Sequence, residues 1–194
     1  MTVRQKILRL VYPLWLLFSR LTGRHSGSKG NPRRQSPPVS FYSLSARLNN
    51  GAVLDFSTLR GRKVLVVNTA SDCGFTPQYK GLQQLHERYG EKLVVIGFPS
   101  NDFKEQEKGD DVAIAEFCRV NFGVSFPLAA KSKVAGPDRN PVFRWLSDPS
   151  MNGWNEQQPS WNFSKYLVDA NGVLLHYFDP GIEPTDERVV GMIG

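Results

Sequence analysis

The chain has 194 residues, 40% of them hydrophobic, enough for one domain with a substantial core. Its formal charge of +6 is unevenly placed: nine of the 24 Lys and Arg precede Asp55, the first acidic residue, leaving 15 basic against 18 acidic beyond, a body of −3. A nucleic-acid-binding domain carries its basic surface on the folded part, so that class is excluded. Two cysteines cannot build a zinc site unaided, and His25, His86 and His176 show no ligand spacing with them.

In chain order, Arg4, Lys6 and Arg9 lead into residues 10–18, an uncharged apolar run that includes Trp15. The run is about half the length of a spanning helix. Three readings stand: an export or targeting signal without an evident cleavage site, a membrane-surface anchor over residues 4–21, or a tail that packs on the domain or is removed. Residues 23–38 are rich in Ser, Gly, Pro and Arg, a linker composition. The expected division is therefore an N-terminal segment and linker over 1–38 and a folded domain over 39–194, beginning near Val39.

Residues 41–48 and 52–56 flank Asn49-Asn50-Gly51 and read as an N-terminal β-hairpin. After an irregular link over 57–62, residues 63–70 form a β-branched apolar run, the pattern of a strand buried on both faces. Ser71, Asp72, Gly74 and Pro77 break it, with Pro77 suited to a first helical turn. Tyr79, Leu82, Leu85 and Tyr89 then share a helical face that ends at Gly90. Residues 92–98 are a second buried strand, completing a βαβ unit with parallel strands. Residues 99–111 read as loop, and Asp110 or Asp111 caps a helix running to about Phe122, with Ile114, Phe117 and Cys118 on one face.

Residues 124–128 extend briefly, 141–146 make a short helix, and 148–159 are loop. Residues 161–168 and 173–178 flank Asp169-Ala-Asn-Gly172 as a second hairpin, and Thr185 caps a last helix with Val189, Val190 and Ile193 inward. A βαβ half followed by a ββα half is the thioredoxin architecture: an α/β fold with a mixed central sheet flanked by helices, here with an added N-terminal hairpin.

Cys73 falls in the strand-to-helix loop of the first half. Unpaired N–H groups and the helix dipole favour an anion there, so the thiol is expected to tend toward thiolate, its reactive form.

Four ordered motifs carry a family resemblance over residues 40–190. They are Asn68-Thr-Ala-Ser-Asp-Cys-Gly-Phe-Thr76; Gly97-Phe-Pro-Ser-Asn-Asp-Phe103 with Gln106-Glu107; Glu116-Phe-Cys118 leading to Phe126-Pro127; and Trp161-Asn-Phe163. Together they resemble the glutathione peroxidase family. The resemblance implies a thiol-dependent peroxidase that reduces hydrogen peroxide and organic hydroperoxides, lipid ones included, with Cys73 as peroxidatic residue beside Gln106, Trp161 and Asn162. It matches Cys118 to the resolving cysteine of the thioredoxin-dependent branch. It implies no cofactor beyond a thiol co-substrate, a thioredoxin-like protein or glutathione, and a monomer is expected. The family's usual Cys after Phe-Pro is Ser100 here, and the usual Gln of its Asn-Gln-Phe is Asp102. Trp154-Asn155 lacks a following Phe and is set aside as the catalytic pair, and the sequon Asn162-Phe-Ser164 is set aside as a glycosylation site.

Three rival classes remain, the weakest being a non-enzymatic membrane-surface module based on the N-terminal segment. A peroxide-sensing redox relay would use the same cysteines to oxidise a partner. A disulfide oxidoreductase would need C-x-x-C, where this chain has Cys73-Gly-Phe-Thr76.

Overall fold

A computed structural model of the protein describes residues 27–194. The apolar run over 10–18, its flanking basic residues and His25 lie outside the described residues. Among those described, no helix is long and apolar enough to cross a membrane.

The strands are β1 (Ser28–Gly30), β2 (Ser45–Arg47), β3 (Val53–Asp55), β4 (Lys63–Thr69), β5 (Leu93–Pro99), β6 (Lys165–Val168) and β7 (Leu174–Phe178). The helices are α1 (Gln78–Tyr89), α2 (Asp111–Phe122), α3 (Pro141–Leu146), α4 (Pro149–Asn152) and α5 (Glu187–Val190). Five strands form one sheet in the order β1-β7-β6-β4-β5, and β2-β3 stand apart as the expected hairpin. Gly51 turns that hairpin at φ +87°, where a side chain would be strained.

β4 and β5 run parallel in unbroken register from Lys63↔Leu93 to Thr69↔Pro99, while β6 lies antiparallel on the other side of β4. Because side chains alternate along a strand, β4 feeds two cores. Val64 and Val66 join Phe41, Phe56, Phe143, Trp145 and Tyr166 on one face of the sheet. Leu65 and Val67 join Tyr79, Leu82, Ile114, Phe163 and both cysteines on the other. The mixed sheet with helices on its faces is the expected thioredoxin-like architecture.

The structure departs from the sequence reading at five places, the first being residues 41–43, read as strand, which form a 3-10 turn capped by Ser40 ahead of β2. Residues 28–30, read as linker, form β1 and pair with β7 (Ser28↔Phe178, Gly30↔His176), and the following Asn31 is buried, so the ordered fold starts well before Val39. A three-residue edge strand has no apolar alternation to announce it. The last helix is capped by Asp186, whose side chain accepts the Arg188 N–H, rather than by Thr185. The loop over 148–159 contains α4, capped by Asp148. Residues 161–164 are a turn, not strand: Phe163 adopts φ +68° and breaks the extended run before β6.

Candidate active site

Cys73 lies in the turn between β4 and α1. Thr76 staples that turn: its Oγ1 accepts the Cys73 N–H at 3.1 Å and donates to the Ala70 carbonyl at 2.8 Å, while its own N–H reaches the Cys73 carbonyl at 3.1 Å. Cys73 is only 9% exposed, and its sulfur accepts the Phe75 N–H at 3.4 Å. Burial pushes the Cys73 thiol up; the Phe75 N–H, the Trp161 and Asn162 side chains and the Gly74 N–H pull it down, and the net direction is up. The expectation that its loop position makes the thiol acidic is therefore reversed, because desolvation disfavours the anion more than these donors favour it.

Trp161 and Asn162 reach the sulfur from the turn before β6. Asn68, near the end of β4, holds that turn: its carbonyl accepts the Phe163 N–H at 2.6 Å and its Nδ2 donates to the Trp161 carbonyl at 3.0 Å. Ser164 Oγ donates to the same Trp161 carbonyl at 3.0 Å. Phe163, fully buried, sits in the left-handed region, a conformation that costs a non-glycine residue roughly 1–3 kcal/mol and persists only where its surroundings enforce it. Its ring packs edge-on against Tyr79 at 5.3 Å.

Gln106 joins through Asn162, whose Nδ2 donates to Gln106 Oε1 at 3.0 Å, and through its backbone, whose carbonyl accepts the Asp72 N–H at 2.9 Å. Just before it, Lys104 and Glu105 both have positive φ, and Phe103 and the Lys104 ammonium pack on the Trp161 ring at 5.5 and 5.8 Å. Asn162 is fully buried, and its Oδ1 has no hydrogen-bond partner among the described residues.

Cys118 lies on α2 in the same core as Cys73, 1% exposed, and both thiols are free. Burial pushes its thiol up to about 11; the Tyr79 side chain pulls it down and Glu107 pushes it further up. Glu107 is itself buried, accepting from Ser71 Oγ at 2.9 Å, and burial raises its carboxyl to about 7.

The remaining sequence candidates sit elsewhere. Trp154 Nε1 and Asn155 Nδ2 are spent on the carbonyls of Leu174 and Leu146, at 2.8 and 2.7 Å. His86 packs against Phe126 and His176 stacks on Phe178. Ser100 is fully buried, and Asp102 Oδ2 accepts the Val134 and Ala135 N–H groups. Among the described residues, no group of three or more His, Cys, Asp or Glu could hold a metal ion.

Sequence reasoning gave Asn68, Thr76 and Glu107 no role, although all three stand in the motifs it singled out. A polar residue inside an apolar strand was the available signal for Asn68.

Residues 41–147 match the family model described as glutathione peroxidase. The chain belongs to the glutathione peroxidase family. It is 48% identical over 145 residues to a glutathione peroxidase-like peroxiredoxin of Chlamydomonas reinhardtii, covering 74% of this chain and 89% of that one. With a glutathione peroxidase-like peroxiredoxin of Saccharomyces cerevisiae the identity is 42% over 158 residues, covering 80% and 98%. Among solved structures, the apo form of Trgpx matches with a TM-score of 0.61 at 31% identity, covering 80% of this chain and 96% of that one. A DsbF homologue from Corynebacterium diphtheriae aligns with a TM-score of 0.59 at 14% identity over 86% and 90% of the chains, which shows the shared fold alone. As a family member the protein is a thiol-dependent peroxidase, and its chemistry is carried by side chains and a thiol co-substrate.

Proposed function

We propose that the peroxidase reduces hydrogen peroxide and organic hydroperoxides, lipid hydroperoxides included, through a Cys73 sulfenic acid, and that Cys118 resolves it for recycling by a thioredoxin-like protein or glutathione. The observation that carries this reading is the cluster around one sulfur: the Trp161 and Asn162 side chains act directly on Cys73, and Gln106 is hydrogen-bonded to Asn162.

In the first step the sulfur attacks the peroxide, an S–O bond forms and the O–O bond breaks. Sulfur is oxidised, the leaving oxygen is reduced, and the thiol proton ends on the alcohol or water released. Cys118 then displaces water from the sulfenic acid to form a disulfide. Two external thiols reduce that disulfide.

Acidity of the thiol cannot carry the rate. Lowering a thiol from about 8.5 to about 6 raises its thiolate fraction at pH 7 roughly thirtyfold. Reactivity lost along the Brønsted slope takes back roughly tenfold. Burial pushes Cys73 the other way in any case. The larger contribution is stabilisation of charge as the O–O bond breaks, by the indole N–H of Trp161 and the amide N–H groups of Asn162, which Gln106 orients. Preorganised donors of this type are each worth roughly 3–4 kcal/mol.

Steady-state peroxide reduction with glutathione and with a thioredoxin system, side by side, tests the activity and its reductant. Asn162→Ala and Gln106→Ala are expected to lower the rate of Cys73 oxidation by tens of fold or more with folding intact. Near-wild-type rates in both would remove the donor mechanism. Mass analysis after one equivalent of peroxide is expected to find a Cys73–Cys118 bond, and persistent Cys73 sulfenic acid without it counts against the resolving role.

A monomer is proposed, and residues 4–21 are a candidate membrane-surface contact beside the readings as an export or targeting signal or a tail, all three resting on the apolar run over 10–18 and its basic flanks. Binding to anionic vesicles that survives deletion of residues 1–26 would sink the membrane assignment.

A further inference from the structure

Lys165 is the one fully buried lysine among the described residues, at the first position of β6. Its Nζ donates to the Phe163 carbonyl at 2.6 Å and reaches the Pro180 carbonyl at 3.5 Å, where Gln78 Nε2 also donates at 2.6 Å. No ion pair among the described residues holds it: Asp179 and Glu183, from the segment after β7, favour its charge only through space, and burial outweighs them. β4 presents Val67 opposite it in register, and β7 presents Phe178. An isolated lysine in such surroundings is costly, so something must require its donor.

Phe163 supplies that requirement. Its left-handed conformation takes the chain out of the strand ladder, and a buried carbonyl there needs a partner from outside it. β4 secures the Phe163 N–H through the Asn68 carbonyl; Lys165 secures the other side of the residue. Both sides of Phe163, the residue that follows Trp161 and Asn162 in the turn, are thereby fixed. We infer that Lys165 is a positioning residue for the peroxide step, holding the Phe163 carbonyl so that the turn keeps the Trp161 and Asn162 donors on the Cys73 sulfur. An amine suits this task because it retains two N–H donors when neutral, so both carbonyls stay satisfied whichever form is present.

The inference rests on the donor reading of Trp161 and Asn162, and the test separates the two. Lys165→Met, Lys165→Arg and Asn162→Ala are made in the full chain, with thermal unfolding confirming that each is folded. Two quantities are read: the stopped-flow rate constant for Cys73 oxidation by hydrogen peroxide, and the Cys73 thiol pKa from the pH profile of alkylation. Lys165→Met is expected to slow oxidation by tens of fold and to raise the thiol pKa, because the sulfur loses its side-chain donors. Lys165→Arg, which keeps N–H donors, is expected to lose less. A purely structural lysine predicts the opposite order, since methionine packs better than a buried guanidinium. A slow Asn162→Ala beside a Lys165→Met with wild-type rate and thiol pKa overturns the role of Lys165 alone, as does Lys165→Arg proving as slow as Lys165→Met. An Asn162→Ala at the wild-type rate overturns the donor role of Asn162 and this inference with it.

Discussion

Lys165→Met also changes how stability depends on pH, with a sign and size that follow from burial. The Lys165 ammonium is lowered from 10.5 to about 7 by desolvation, with Glu183 and Asp179 opposing. Between those values the unfolded chain holds a proton that the folded chain has released, so stability rises with pH across the window. The stabilising contribution is complete above 10.5 and is lost as pH falls through about 7. Each pH unit is worth about 1.4 kcal/mol, so the whole window amounts to about 5 kcal/mol. Urea unfolding under reducing conditions at pH 7.5, 8.5 and 9.5 measures it. Other titrating groups are common to both proteins and cancel in the difference. Relative to Lys165→Met, the wild type is expected to gain about 2–3 kcal/mol between pH 7.5 and 9.5. Parallel curves for the two proteins would refute the buried, readily deprotonated lysine.

Glu107 behaves in the opposite sense. Desolvation raises its carboxyl from 4.5 to about 7, so it contributes stability that is lost as pH rises through that window, and Glu107→Gln is expected to flatten the loss by up to about 3 kcal/mol in the same unfolding assay. Trp161→Phe keeps a ring against Phe103 but removes the indole N–H. It is expected to slow Cys73 oxidation roughly 10²-fold, with the thiol pKa raised, in stopped-flow and alkylation measurements. Thr76→Val matches the side chain in shape but breaks its bonds to the Cys73 N–H and the Ala70 carbonyl. A loss of about 1–3 kcal/mol in urea unfolding is expected, with slower peroxide reduction as the turn loosens.

What the sequence made legible was whatever repeats or caps. The β-branched run of β4, the helical face Tyr79, Leu82 and Leu85, the Asp110 cap of α2 and the Asn-Gly hairpin turn all stand where local pattern placed them. β1 escaped because Ser28-Lys29-Gly30 gains its order from the open edge of β7, a partner about 150 residues away that no local window contains. The turn over 161–164 escaped because an aromatic-rich stretch before a strand reads as more strand, whereas the left-handed step is held by a tertiary bond to Asn68 together with a local one from Lys165. The place of Cys73 was readable, but the direction of its ionisation was not. Loop position and helix dipole are local, whereas desolvation depends on what folds over the sulfur. Lys165 left one trace, a lone charge heading the apolar run Tyr166-Leu167-Val168.

The strap formed by β1 has a practical consequence for handling the protein. The Gly27 N–H binds one oxygen of Asp179, the Ser160 hydroxyl binds the other, and Trp161 is the next residue. Substituting Asp179 would therefore loosen both the strap and the residue that leads into the catalytic turn. At the opposite end of β4, roughly 20 Å away at strand rise, the Lys63 ammonium grips the Met192 and Ile193 carbonyls. Labels, surface attachments and affinity handles therefore belong at that rear pole.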